Sequence, residues 1–193
     1  MSYVNYFTPM IFAALAVAVA LRAGLFNIGV SGQMLAAGFT ASIIVGYSSL
    51  NAVLAKPLVV IIGLIVGGLV GALIGFLKYR FNINEVVSSI MLNYTFQYVI
   101  SFFINTFFVD PVSRQSKEIS KASRLTLMDT VVGNLKMDIP LGIILALLIV
   151  VAVWFLLEKT RLGYELKAVG YSRSAAKYAG IKVGRSMVLS MTI

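Results

Sequence analysis

The sequence contains no cysteine and no histidine. Without cysteine there can be no disulfide, thiol nucleophile or thiolate metal site. Without histidine the usual general base and the commonest metal ligand are missing, which excludes Ser-His-Asp triads and zinc hydrolysis. Charge is also scarce: 12% of the 193 residues are charged and 60% are hydrophobic, whereas soluble domains have about 25% charged residues. So little polar surface cannot cover a soluble globule, and we expect a membrane protein, not an enzyme, with no metal and no cofactor of its own.

The net charge of +9 does not indicate nucleic acid as a partner. The lysines and arginines lie in short segments between apolar runs. Membrane proteins place basic residues in this way, because the charges set the orientation of the spans. We therefore expect the lipid bilayer, and no nucleic acid, as a partner.

Three uncharged runs are long enough to cross a bilayer. A hydrocarbon core about 30 Å thick takes roughly 20 helical residues. Pro57–Leu77 supplies 21 residues and Ile139–Leu157 supplies 19, with Pro140 in the first turn of the predicted helix. Val86–Val109 is uncharged too, although it contains Asn, Gln and Ser. Each run predicts a transmembrane helix.

The N-terminal part is less regular. Thr8–Leu21 has only 14 residues and Gln33–Tyr47 is similarly short, with the glycine-rich stretch Ala23–Gly32 between them. Short apolar pieces around such a break are typical of discontinuous or re-entrant helices that line a cavity. A further apolar run of eight residues follows Arg185. We predict an all-α polytopic membrane protein with about five transmembrane or partly re-entrant helices and a truncated sixth, forming one partial transmembrane domain over residues 1–193.

The basic residues predict an orientation. Glu158–Arg185 contains seven basic and two acidic residues, whereas Asp110–Asp138 contains five and four. Since basic loops stay in the cytoplasm, we expect residues 158–185 to form a cytoplasmic loop and residues 110–138 an extracytoplasmic loop.

Small residues recur every fourth position in the first long run. In lipid such a row lets two helix backbones approach closely, which favours a helix-packing seam over a sliding surface. The row consists of Gly63, Gly67, Gly71 and Gly75.

Polar residues recur at the same spacing in the next run, at Glu85, Ser89, Asn93, Gln97, Ser101 and Asn105. Polar groups at membrane depth need partners or water. The row is explained either by hydrogen bonds between helices or by a polar wall along a substrate path. Glu85 fits a helix start capped by Asn84 better than a proton relay.

The segment Thr160–Gly184 is the most distinctive polar part. Ser172 is a good N-cap, helix-forming residues extend to Ala179, and Gly180 is a good helix stop. Such a short helix fits a docking element for a soluble partner, a solvated basic loop, or a loop bound to anionic lipid. No GxxxxGK[ST] motif occurs, so any nucleotide hydrolysis would belong to another chain.

Four motifs resemble one family, the permease subunits of ABC importers for nucleosides, simple sugars and branched-chain amino acids. Residues 22–33 resemble its RAGLFNIGxEGQ signature, and residues 84–94 are similar to NEVxSxxMLNY. Residues 160–170 and 175–181 are similar to TxxGxxLxAVG and AAxYAGI. The first two motifs favour the nucleoside-type branch.

This resemblance implies a coupling helix in the 160–184 segment that docks on a separate ATP-binding cassette ATPase. ATP would be used by that partner. The importer would also contain a second permease subunit and an extracytoplasmic substrate-binding lipoprotein, and it would lie in the bacterial plasma membrane. The expected coupling residues are Gly163, Glu165, Lys167, Gly170, Ser172, Arg173, Ala175, Ala176, Lys177 and Gly180. The residues expected to face the substrate path are Asn27, Ser31, Gln33, Asn93 and Gln97.

One position departs from the family pattern: Ser31 stands where the signature has Glu. Loss of that charge would weaken function, which keeps an inactive permease fragment as an alternative. An ion-driven secondary carrier or channel, or a membrane scaffold that transports nothing, are the alternatives from other classes. Reversing the charges of Lys167, Arg173 and Lys177 is expected to uncouple ATPase binding.

Overall fold

The computed structural model describes residues 3–48, 51–109, 126–132 and 135–193. Within these ranges the chain forms α-helices joined by short turns, together with one β-hairpin. The helices are α1 (Tyr3–Arg22), α2 (Val30–Ala41), α3 (Ala52–Phe81), α4 (Glu85–Phe103), α5 (Leu141–Lys159), α6 (Arg161–Tyr171), α7 (Arg173–Tyr178) and α8 (Val183–Thr192). The strands are β1 (Thr126–Val132) and β2 (Leu135–Pro140).

Three helical stretches in the described part of the chain are long and apolar enough to cross a membrane: Ala52–Phe81, Glu85–Phe108 and Gly142–Lys159. They confirm the three predicted spans. The helix α3 begins at Ala52, five residues before Pro57, so this proline lies inside the helix and removes one intrahelical hydrogen bond. The placement of Pro140 in a helical turn was wrong: Pro140 is the last residue of β2, in a two-stranded sheet whose strands are both edges, and proline is tolerated in edge strands.

The N-terminal region contains the predicted break. The helix α1 has 20 residues and is longer than the sequence suggested. A non-helical loop over residues 23–29 separates it from α2, which has 12 residues and continues into a π-helical turn at Ser42–Gly46. The helix α4 continues in the same way through Ile104–Phe108.

Most of the β-hairpin lies in residues 110–138, the segment predicted to be an extracytoplasmic loop, and the last two residues of β2 lie in the run predicted to be a transmembrane helix. Strands β1 and β2 pair antiparallel, with Thr126 opposite Pro140 and Val132 opposite Leu135. The pairing is irregular between Leu127 and Thr130. The hairpin was not predicted, because two short strands in a polar loop do not alter the uncharged runs from which the spans were predicted. The sides of the membrane on which this loop and residues 158–185 lie stay predictions.

The turn between α3 and α4 is fixed by side chains. Asn84 caps α4 by accepting a hydrogen bond from the Val86 amide at 2.9 Å, which confirms the predicted cap. Lys78 and Glu85 form an ion pair across the turn, with 2.9 Å between Nζ and Oε2. Asn82, with φ of 52°, ends α3 in the left-handed conformation. Glu85 thus has a structural partner.

The packed core lies where α6 and α7 meet α1, α3 and α8. Elsewhere α2 packs on α3 and α4, and α1 packs on α5. Large apolar side chains on α3, α4 and α5 are exposed, as expected for helices that face lipid or other subunits. The buried members of the main core cluster are Ala20, Leu25, Ile74, Val169, Ala176, Met187 and Met191.

Candidate functional site: the 160–184 segment and the 23–29 loop

Two helices form the 160–184 segment, and hydroxyl caps define both of them. The Thr160 hydroxyl accepts a hydrogen bond from the Gly163 amide at 3.3 Å and starts α6. Ser172 is the extended residue that ends α6, and its hydroxyl accepts from the Ala175 amide at 3.3 Å to start α7. Gly180, with φ of +80°, follows α7. The predicted Ser172 cap and Gly180 stop are therefore confirmed. The helix α6 was not predicted, although Thr160 is a residue type that favours the N-cap position of a helix.

Two of the expected coupling residues have partners within this chain. The Arg161 Nε lies 3.0 Å from the Glu165 Oε1, one helical turn away. The Lys167 Nζ lies 2.6 Å from the Glu158 Oε1 at the end of α5. The Lys167 pair therefore joins α6 to the end of α5, whereas the Glu165 pair lies within α6. Both side chains are engaged inside this chain and are less available to another protein.

The helix α7 offers the most open surface of the segment. Ala176 is buried in the core cluster, but its neighbours on α7 are exposed. Tyr171 is 94% exposed and Tyr178 is 93% exposed. We define the α7 surface as the exposed residues Tyr171, Arg173, Ser174, Lys177 and Tyr178.

The two tyrosines were not among the residues predicted for coupling. Their signal in the sequence is an aromatic residue at each end of a short polar helix. Aromatic side chains in such positions commonly become anchors in protein interfaces, where they supply large contact area at low entropic cost.

A basic cleft of about 660 Å³ adjoins the α7 surface. Its lining includes Arg173, Lys177, Lys182 and Arg185, and it contains no acidic side chain. The Tyr79 ring of α3 forms another part of the wall. A cleft with this charge favours an acidic partner surface.

Glycines bring the segment into backbone contact with α5 and α1. A Cβ added at Gly163 would meet the carbonyl oxygens of Leu156 and Leu157. A Cβ added at Gly170 would meet the Arg22 carbonyl oxygen, and it would lie 3.2 Å from the Gly24 nitrogen. Gly163 and Gly170, two of the expected coupling residues, therefore allow the backbones to pack closely, and neither offers a side chain to a partner.

The 23–29 loop is held from inside by two asparagines that were expected to face a substrate path. Asn27 is 2% exposed, and its Oδ1 accepts a hydrogen bond from the Gly29 amide at 2.9 Å. Asn93 reaches from α4: its Oδ1 accepts from the Gly32 amide at 2.8 Å and its Nδ2 donates to the Ile28 carbonyl at 3.0 Å. In this structure both amides fix the backbone of the loop and of the first turn of α2.

The other path candidates do not converge with them. Ser31 and Gln97 are exposed and lie on different helices. Gln33 is half-buried and lines a cavity of about 180 Å³ together with Gly63 and Gly67. A single polar path formed by all five candidates is not seen, because two of the amides are committed to loop backbone.

The four glycines of the α3 row lie in two different surroundings. A Cβ at Gly71 would meet the Met191 carbonyl oxygen of α8, and one at Gly75 would lie 2.8 Å from the Val188 Cα. At Gly63 and Gly67 it would meet nothing within 4 Å. Within the described residues the expected seam therefore covers Gly71 and Gly75 and does not extend to the other two.

The polar residues of the α4 row also differ in their hydrogen-bond partners. Asn93 binds the 23–29 loop, whereas Asn105 donates only to the Ser101 hydroxyl of its own helix, at 3.3 Å. Ser89 is buried and donates to the Glu85 carbonyl at 2.6 Å. Hydrogen bonding between elements thus accounts for Asn93, but not for the whole row. No cluster of three or more potential metal ligands occurs among the described residues.

Comparison with protein families gives a match over the whole chain. The family model described as "Branched-chain amino acid transport system / permease component" matches residues 1–193. No solved structure gives a significant match.

Curated relatives are similar over nearly the whole chain. The guanosine ABC transporter permease protein NupP of Bacillus subtilis is 38% identical over 98% of this chain and 54% of its own length. The nucleoside ABC transporter permease protein NupB of Lactococcus lactis is 38% identical over 96% of this chain and 52% of its own length. The glucose ABC transporter permease protein TsgB13 of Haloferax volcanii is 32% identical over 90% and 47%. The chain thus spans about half the length of the curated relatives it matches.

Proposed function

Because the chain belongs to the family of branched-chain amino acid transport system permease components, we propose that it acts as a membrane-spanning permease subunit of an ATP-driven importer. It is a multi-pass protein of the bacterial plasma membrane. In the proposed importer this chain moves the substrate, and a separate ATP-binding cassette ATPase supplies the energy. A second permease subunit and a substrate-binding lipoprotein complete the assembly.

The observation that carries the docking role is the contrast within the 160–184 segment. Gly163, Gly170 and Ala176 are packed against the rest of the chain, while the α7 surface remains open. A short helix that is packed at its back and exposed at its front is already ordered before a partner binds, which lowers the entropic cost of binding. Two almost fully exposed tyrosines beside a basic cleft suit an ATPase groove with acidic walls.

The proposed substrate is a nucleoside. Support comes from the two relatives of highest identity given above, whose names refer to guanosine and nucleosides. A simple sugar is the second candidate, because the Haloferax relative is named for glucose. Uptake of radiolabelled guanosine, but not glucose, by cells that depend on this importer would support the first candidate. The opposite preference would support the second.

An ion-driven carrier receives less support from the structure. Such a mechanism needs an ionisable group that binds and releases protons or ions within the membrane. Glu85 is placed at a helix start and is ion-paired with Lys78. Uptake that stops with ATP depletion but survives a protonophore would agree with the ATP-driven importer.

The docking role is tested by recovery of the ATPase with a tagged permease from the complete importer. Lys177→Glu combined with Tyr178→Ala changes two exposed residues of the α7 surface. Loss of an interface anchor typically costs about 1.4 kcal/mol or more, so we expect about tenfold less ATPase at limiting concentration.

Lys159→Glu is the matched control, because Lys159 is an exposed cation at the end of α5 and outside the α7 surface. This variant should recover the ATPase within about twofold of the wild type, as expected for a surface charge outside an interface. Equal recovery with the double variant and the wild type would contradict docking through α7.

A further inference from the structure

We propose that the 23–29 loop is the mechanical link through which movement of the 160–184 segment reaches α2 and α4. Gly24, Gly170 and Asn93 are its positioning residues. The inference rests on the proposed docking of an ATPase at α7. In this proposal Asn93 joins α4 to the loop and to α2 by hydrogen bonds, in place of the path-facing role expected from the sequence.

The first contact of the link joins the end of α6 to the start of the loop. Gly24, with φ of +68°, adopts a left-handed backbone that suits glycine, and a Cβ there would lie 3.3 Å from the Gly170 Cα. A Cβ at Gly170 would in turn meet the Arg22 carbonyl oxygen. Because no flexible side chain separates the two backbones, a displacement of one towards the other is transmitted by direct contact.

The second contact lies at the surface of α7. The Arg173 Nη2 donates to the Gly24 carbonyl at 3.5 Å. Arg173 belongs to the α7 surface, so a residue proposed to meet the ATPase also touches the loop. A displacement of α7 therefore acts on the loop through both a side chain and the adjacent backbone.

The third contact is apolar. Leu25 is 1% exposed and belongs to the same core cluster as Val169 of α6 and Ala176 of α7. Close-packed cores transmit displacement because they have few voids to absorb it. The loop is thus anchored in the packing of the segment that would move.

The far end of the link is formed by the two asparagines. Asn27 holds Gly29, and Asn93 binds both the loop at Ile28 and the first turn of α2 at Gly32. Each Asn93 bond joins α4 to backbone more than 60 residues away in sequence. A chain of backbone contacts and hydrogen bonds therefore runs from α7 through the loop to α2 and α4, and packed, hydrogen-bonded networks of this kind can carry coupling between distant sites.

The test uses the complete importer, reconstituted with its ATPase, second permease and binding protein. Gly170→Ala separates the two backbones at the first contact, and Asn93→Leu removes both hydrogen bonds at the last. Gly38→Ala and Asn105→Leu are the matched controls, because a Cβ at Gly38 meets nothing within 4 Å and Asn105 bonds only within its own helix. Three quantities are measured: recovery of the ATPase, stimulation of ATP hydrolysis by the binding protein loaded with guanosine, and guanosine uptake.

We expect Gly170→Ala and Asn93→Leu to retain the ATPase but to reduce stimulation and uptake about tenfold or more, as expected when a coupling of about 1.4 kcal/mol is lost. The two control variants should remain within about twofold of the wild type. A further variant, Asn93→Asp, keeps an oxygen that accepts from Gly32 but loses the donor to the Ile28 carbonyl, so its stimulation should lie between that of Asn93→Leu and that of the wild type.

Three results would overturn the link. Normal stimulation and uptake with Gly170→Ala and Asn93→Leu would show that these contacts transmit nothing. Failure of both variants to assemble would show that the contacts serve folding alone. Equal loss with the control variants would show that the effect is not specific to the loop. Failure of the wild-type permease to recover an ATPase is a different result, because it would refute the proposed docking itself.

Discussion

The two ends of α3 carry glycines at the same spacing in different surroundings. Gly71 and Gly75 meet the backbone of α8, whereas Gly63 and Gly67 face open space in this chain. The first pair lies near the core formed with α6, α7 and α8, and the second lines a cavity with Gln33. One sequence pattern thus produces a tight seam at one end and room for another element at the other.

The largest effect expected from this comparison is on stability. Gly71→Ala places a methyl group against the Met191 carbonyl oxygen of α8. Overpacking of this kind costs about 1–3 kcal/mol. The thermal midpoint of the detergent-purified importer should therefore fall clearly for Gly71→Ala. The matched Gly67→Ala, one helical turn away, should leave it unchanged or slightly raised, because alanine favours helix. Equal thermal midpoints for the two variants would show that Gly71 and Gly67 do not differ in how tightly they are packed.

The second prediction compares the buried side-chain amide of Asn27 with the exposed side-chain amide of Asn105. Asn27→Ala leaves the buried Gly29 amide without its acceptor. An unsatisfied buried donor costs about 1–3 kcal/mol. We expect faster amide hydrogen exchange in the 23–29 loop of this variant. Asn105→Ala, which removes an exposed intrahelical contact, should not change exchange there. A loop that exchanges at the wild-type rate in Asn27→Ala would contradict the proposed role of Asn27.

The third prediction concerns the cap between α6 and α7. Ser172→Ala removes the acceptor for the Ala175 amide, and loss of such a cap costs about 1 kcal/mol. Hydrogen exchange in residues 173–178 should rise, and ATPase recovery should fall by less than for the double variant of the α7 surface. For hydrogen exchange alone, Ser174→Ala is the control, since Ser174 is exposed and caps neither helix. Identical behaviour of the two serine variants would refute the capping role.

The smallest effect is expected at Ser31, in the first turn of α2. This turn contains no acidic residue, and a carboxylate at a helix N-terminus contributes about 0.3–1 kcal/mol. Ser31→Glu, which restores the residue of the family signature, should raise the thermal midpoint slightly. Ser31→Gln has similar size without the charge and should not. A lower midpoint for the glutamate variant would show that Ser31 suits this chain better.

The sequence predicted the spans and the caps because each depends on local chemistry. The length of an uncharged run, the hydroxyl of Ser172 and the left-handed preference of Gly180 act within a few residues. The loop contacts of Asn93 depend on residues more than 60 positions away, and no periodicity in α4 indicates which amide has such partners. For the same reason the sequence could not separate Gly71 from Gly67, since only the path of α8 distinguishes them.

The most direct test of docking through α7 is protection of a single cysteine in the assembled importer. The chain has no native cysteine, so Ser174→Cys introduces a site on the α7 surface that is unique within this chain and leaves both tyrosines in place. Labelling of this cysteine by a water-soluble maleimide should be fast in the permease alone and should fall about tenfold when the ATPase is bound, as for a residue in the core of an interface. Lys159→Cys, outside the α7 surface, should be labelled equally in both states. Undiminished labelling of Ser174→Cys in a complex that still retains the ATPase would contradict the proposed docking.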